Sequence, residues 1–72
     1  MTKIKAIIID DEELNISTLD QTLSHYCPEI LVVARCQNPI EAIALVHDLK
    51  PDIVFLDISM PELNGVEFLN EF

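Results

Sequence analysis

Asp52-Ile53-Val54-Phe55-Leu56-Asp57-Ile58-Ser59-Met60-Pro61 is the stretch that decides the fold. Four consecutive apolar residues lead into one carboxylate, and prolines stand at 51 and 61 on either side. A continuous apolar run of this length predicts a strand buried on both faces, as in a parallel sheet. Asp57 then stands where the strand emerges, and ligands of open α/β sheets bind outside the carboxyl ends of the strands. Taken alone, one aspartate there reads more readily as a turn cap than as a ligand group.

The start of the chain changes that weighing. Lys3-Ile4-Lys5-Ala6-Ile7-Ile8-Ile9 is a second apolar strand, and it runs into Asp10-Asp11-Glu12-Glu13. Neighbouring strands lie about 4.8 Å apart, so two strands delivering carboxylates at the same end can reach one cation. Between these two segments the pattern alternates. Leu14, Ile16, Leu19, Leu23 and Tyr26 recur at helical spacing, with Asp11 or Glu12 placed to cap the helix and Pro28 to stop it. Ile30 to Ala34 is a β-branched strand, and Gln37-Asn38-Pro39 opens a second helix with Ala42, Ile43, Val46 and Leu49 as its buried stripe. After Asp57, Asn64-Gly65 marks a loop and residues 66–72 begin a third helix, in which Phe68 and Phe72 share a face. The order β-α-β-α-β-α, with crossovers long enough for parallel pairing, predicts an α/β doubly wound parallel sheet.

Composition narrows the function. Thirteen acidic residues against four basic ones give a net charge of −9 over 72 residues. That balance disfavours direct nucleic-acid binding or an anionic membrane surface, both of which need a basic footprint, and suits a cation or a basic protein surface. No apolar run approaches the roughly 20 residues of a membrane span, and the N-terminus has no signal-peptide pattern, so a cytoplasmic protein is expected. Cys27 and Cys36 flank the second strand on the order of 20 Å apart, too far for a disulfide, and read as reduced. His25 and His47 sit near helix ends, where a dipole contact explains them. The single glycine, Gly65, leaves no phosphate-cradling glycine loop.

The carboxylates carry the chemistry. Dipole-matched capping accounts for Glu12 and Glu13, but not for a third carboxylate at the tip of another strand. Clustered like charges raise pKa values or demand a cation, and Mg²⁺ accepts one or two carboxylates while keeping waters that a phosphate can displace. The same metal lets an aspartate act as a phosphoryl acceptor. On this logic Asp57 receives the phosphoryl group and Asp10 and Asp11 hold the metal.

Two segments, Ala6-Ile7-Ile8-Ile9-Asp10-Asp11-Glu12 and Lys50 through Gly65, resemble the receiver domain of two-component response regulators, in order and in spacing. The resemblance implies a flavodoxin-like sheet of five strands in the order 2-1-3-4-5, of which residues 1–72 would cover a partial domain up to the start of the third helix. It implies that Asp57 is phosphorylated by a histidine kinase and that Asp11 is a direct Mg²⁺ ligand. Asp10 would act mostly through bound water, and the backbone carbonyl of Ser59 would be a further ligand. The family's switch Ser or Thr, its aromatic switch residue and its Lys belong to later strands that these residues do not include. The wording of the first strand is also similar to regulators with a LytTR-type DNA-binding output, so DNA contact would come only through such a domain. A phosphoacceptor module rather than an enzyme is the expected function. The alternatives are an interaction module that never meets phosphate, a fragment without signalling function, and an aspartyl-phosphate hydrolase. The last is disfavoured because haloacid-dehalogenase-like enzymes show Asp-x-Asp where this chain has Asp10-Asp11-Glu12. The outer edge of strand three, with no blunting charge or proline, makes self-association of these 72 residues a further expectation.

Overall fold

The computed structural model describes residues 3–56. The readings on Asp57, Ser59, the Met60-Pro61 and Asn64-Gly65 loop, and the third helix with Phe68 and Phe72 lie outside the described residues. Five elements follow one another: β1 (Ile4–Ile9), α1 (Glu13–Tyr26), β2 (Ile30–Cys36), α2 (Pro39–Leu49) and β3 (Ile53–Leu56). The strands form one parallel sheet in the order β2-β1-β3, the doubly wound α/β arrangement that the alternating pattern predicts.

The central strand is the most buried. Ala6, Ile7, Ile8 and Ile9 are at most 2% exposed, because β1 has a neighbour on each side and a helix over each face. Ile7 and Ile9 pack with Ala42, Ile43, Val46 and Leu49 of α2, whereas Ile8 packs with Ile16, Leu19 and Leu23 of α1. This is the two-residue alternation of a strand covered on both faces. β3 departs from the expectation of a fully buried strand. All four of its residues are half-buried, since among the described residues only β1 pairs with it.

Two residues expected in the α1 stripe lie outside it. Leu14 is 75% exposed and Tyr26 74% exposed. Leu14 precedes Ile16 by two positions, about 200° around the helix, so the two cannot share a face. At the other end Cys27, four residues after Leu23, packs on the cluster, and the Tyr26 ring instead meets His25 edge-on at 4.7 Å. Both cysteines are free thiols.

β2 runs two residues beyond the expected Ala34 and carries a register shift. Ala6 pairs with Val32 but Ile7 pairs with Ala34, so Val33 is an extra residue in β2, a β-bulge. Ile30 and Val32 face the α1 cluster, whereas Val33, Ala34 and Cys36 all join the α2 cluster. The bulge thereby turns Arg35 toward α1, where its Nε donates to Asp20 Oδ2 at 2.6 Å.

The opposite end of the sheet is closed by a carboxylate. Lys5 N–H donates to Asp52 Oδ2 at 2.9 Å, and Asp52 N–H donates to the Lys5 carbonyl at 2.8 Å, which fixes the β1–β3 register from below. Asn38 caps α2 by accepting from the N–H groups of Ile40 and Glu41, with Pro39 in the first turn as expected. α2 ends at Lys50, whose φ of 48° is left-handed, a conformation costing a non-glycine residue about 1 kcal/mol.

Candidate functional site

The carboxyl ends of β1 and β3 meet in register. Ile9 pairs with Leu56 on one side and with Cys36 on the other, so the chain that leaves β1 does so between two strand tips. Asp10 is the next residue. Its N–H donates to the Cys36 carbonyl at 3.0 Å, extending the β1–β2 ladder by one bond beyond the strand. Its Oδ1 accepts from the N–H of Glu12 at 2.9 Å. This side-chain turn bends the backbone out of the sheet and into α1.

The helix start therefore differs from the expected one. Glu12 holds the N-cap position, but its side chain makes no capping bond; the bond at the helix entrance comes from Asp10. Asp10 is half-buried and Asp11 exposed, with the Asp11 carbonyl reached by Gln37 Nε2 at 3.5 Å. Four consecutive acids then stand at the positive end of the α1 dipole, which offsets part of their mutual repulsion.

Beside Asp10 lies an open cleft of about 260 Å³, walled by Ile8, Ile9, Leu19, Phe55 and Leu56 with Asp10 and Asn15 as its polar members. It sits where β1, β3 and the first turns of α1 converge, the place where an open parallel sheet binds its ligands. Asn15 is not among the residues that the sequence singles out. The available signal is its spacing, since Asn15 and Leu19 are four apart and line the same cleft.

The donor set fits a hard cation. Asp10 and Asp11 are adjacent carboxylates, Asp10 has one oxygen committed to Glu12 and a second left over, and Mg²⁺ takes one or two carboxylates with waters completing its shell. Among the described residues no three His, Cys, Asp or Glu side chains converge as a metal site. The expected third carboxylate, Asp57, and the Ser59 carbonyl lie outside the described residues, and Asp57 is bonded directly to Leu56 at the cleft wall.

Residues 3–56 thus form an open, doubly wound α/β sheet with a carboxylate-bearing cleft at its strand tips. The chain belongs to the response regulator receiver domain family, whose model matches residues 6–72. It is thus a receiver domain of the two-component signalling type. The transcriptional regulatory protein BtsR of Salmonella typhi is 44% identical over 66 residues, covering 92% of this chain and 27% of that protein. The chain spans about a quarter of the length of such curated relatives. Among solved structures, the receiver domain of the putative response regulator NarL from Mycobacterium tuberculosis superposes with a TM-score of 0.86 at 25% identity, covering 94% of this chain and 54% of that one. The response regulator domain of Thermotoga maritima CheB gives 0.85 at 32% identity, covering 96% and 51%. Among the described residues no helix is long and apolar enough to cross a membrane.

Proposed function

We propose that this receiver accepts a phosphoryl group on Asp57 from the phosphohistidine of a histidine kinase, in the cytoplasm, and that phosphorylation controls an output such as transcription. The observation that carries this reading is the Ile9–Leu56 pairing, because Asp10 follows one partner and Asp57 the other. In the transfer, an Asp57 carboxylate oxygen attacks phosphorus, the phosphorus–nitrogen bond breaks, and the imidazole leaves with the electron pair and takes up a proton. Asp11 would hold Mg²⁺ directly, Asp10 through bound water, and the Ser59 carbonyl as a further ligand. When bound, the cation neutralises charge on the phosphoryl oxygens. The Asp10–Glu12 turn holds the two carboxylate-bearing residues at the strand tip. The transcriptional role rests on the printed function of BtsR, a relative far longer than this chain.

Treatment of the intact protein with a small acyl phosphate and Mg²⁺ tests the proposal. One base-labile phosphoryl group is expected, and Asp57→Asn should abolish it, because an amide is not a nucleophile here. Asp11→Asn should weaken Mg²⁺ binding at least about tenfold, equivalent to ~1.4 kcal/mol of lost charge-assisted contact. Undiminished labelling of the Asp57→Asn protein at the same stoichiometry would overturn the assignment.

A further inference from the structure

The outer edge of β2 is open. Among the described residues its only strand neighbour is β1, and the flavodoxin-like order 2-1-3-4-5 adds strands beyond β3, not beyond β2. The N–H groups of Ile4 and Asp10 donate to the carbonyls of Glu29 and Cys36, so those two residues face β1. Backbone groups alternate along a strand. Leu31 and Ala34 therefore also face β1, whereas Val32 and Arg35 turn their N–H and C=O groups outward. The extra residue at Val33 sets these outward groups farther apart than the regular two-residue step. A bulge and a charge are the devices that keep an edge from pairing indiscriminately.

Arg35 is that charge, and it lines a cleft of about 290 Å³ together with Lys3, Asp20, Ser24, Ile30 and Val32. Asp20 Oδ2 accepts from the Arg35 Nε at 2.6 Å, which holds the guanidinium in place, while its terminal amino groups have no hydrogen-bond acceptor among the described residues. The side chain is 47% exposed, so those amino groups are open to a ligand. Lys3 and Arg35 against the single acid Asp20 make the cleft net positive on a chain of −9. A guanidinium matches a carboxylate in plane and charge, and an open strand edge binds extended segments through main-chain hydrogen bonds. We infer that the outer edge of β2 docks an extended segment of a partner protein, which adds as a strand and presents an Asp or Glu to Arg35. A second copy of this chain does not complement the edge. Opposed residues of an antiparallel pair share a face, and the β2 residues on the face of Arg35 are Ile30 and Val32, neither of them acidic. Two chains of −9 also repel one another.

The experiment pans the intact protein against a display library of random linear peptides and then measures binding of the synthesised winners. Selected peptides should share one Asp or Glu among residues of strand-forming type, and their binding should weaken with salt. On binding, hydrogen exchange should slow at the N–H groups of Val32 and Arg35, with little change at Leu31 and Ala34, which already face β1. Arg35→Gln should weaken the acidic peptides about tenfold or more, and Arg35→Lys should retain part of the affinity as a point charge. The Arg35–Asp20 pair is partly exposed, so Arg35→Gln should leave the fold intact, as circular dichroism and a thermal melt would register. Selected peptides without an acidic position, equal binding by folded Arg35→Gln, or no enrichment at all overturns the inference. Protection of Val32 and Arg35 that grows with the concentration of the protein alone would make a second copy the occupant and overturn it as well.

Discussion

Asp10 illustrates how one side chain serves fold and site together. Its Oδ1 turns the chain into α1, while its charge belongs to the proposed cation site. The two roles separate by substitution. Asp10→Asn keeps an oxygen for the Glu12 N–H but removes the charge. It should leave the thermal midpoint nearly unchanged while weakening Mg²⁺ binding. Asp10→Ala removes both and should also cost about 1 kcal/mol of stability, the usual worth of a helix-entrance hydrogen bond. Thermal melts paired with Mg²⁺ titration read both quantities, and equal destabilisation by the two variants would show that the charge, not the turn, supports the helix start. Arg35 is a contrasting residue. The hydrogen bond that Arg35 donates to Asp20, together with the Asp20 charge, raises the guanidinium pKa above its ordinary value, and partial desolvation only opposes this. The group stays protonated in either case. The pair is also partly solvent-exposed, so its worth is at most about 1 kcal/mol and falls with salt.

At the scale of elements, the bulge in β2 decides which residues meet which helix. Val33 is the inserted residue, and beyond it the alternation is reversed. Pairing β2 without the bulge while keeping Val33 would direct Arg35 at the α2 cluster and pull Cys36 out of it, and an unpaired cation against Ile7, Ile9 and Ala42 should cost more than ~3 kcal/mol. Deleting Val33 instead leaves Ala34, Arg35 and Cys36 on the faces they already occupy. The deletion should therefore cost little more than Val33→Ala, for which the loss of half-buried methyl groups predicts about 1 kcal/mol. Urea unfolding midpoints check this. A deletion several kcal/mol worse than the alanine would mean that the fold needs the bulge itself. The closure at the opposite end works in the same direction: Asp52 ties Lys5 from below, so β1 and β3 cannot slip without breaking two bonds. Slippage by one residue would separate Ile9 from Leu56, and with them the two strand tips that carry the proposed site.

At the scale of the whole molecule, the described sheet is lopsided. Residues Ala6 to Ile9 of β1 are covered on every side, whereas β3 is half-buried and has β1 as its single strand neighbour among the described residues. Leu14, Tyr26 and Ile40 are exposed as well. Apolar surface withdrawn from water stabilises by roughly 25 cal/mol per Å², so covering a few hundred Å² yields several kcal/mol. We propose that the 72-residue polypeptide, studied by itself, self-associates through the β3 side rather than persisting as a stable monomer. Its charge of −9 opposes association, so salt should promote it. Sedimentation at low micromolar concentration, at low and high salt, is the check. A single 8.2 kDa species with a cooperative, concentration-independent melt would sink the proposal.

The order of the five described elements, the parallel sheet and the acidic tip of β1 are legible in the residues alone, because hydrophobic period and strand-end carboxylates are local properties of the chain. The residues alone also place the start of α2, since Pro39 suits a first helical turn, whereas the cap by Asn38 came with the structure. The buried rank of the strands was not local: the continuous Ile53–Leu56 run reads as fully buried, yet burial depends on how many neighbours a strand has. Leu14 and Tyr26 read as core for a similar reason, since hydrophobicity does not report where a helix leaves its sheet. The Val33 bulge, the Arg35–Asp20 contact, the Asp52–Lys5 closure and the cleft beside Asn15 were decided only by the tertiary structure. Each joins residues from different elements, and no local pattern records which of several possible registers lets both helices pack on one sheet.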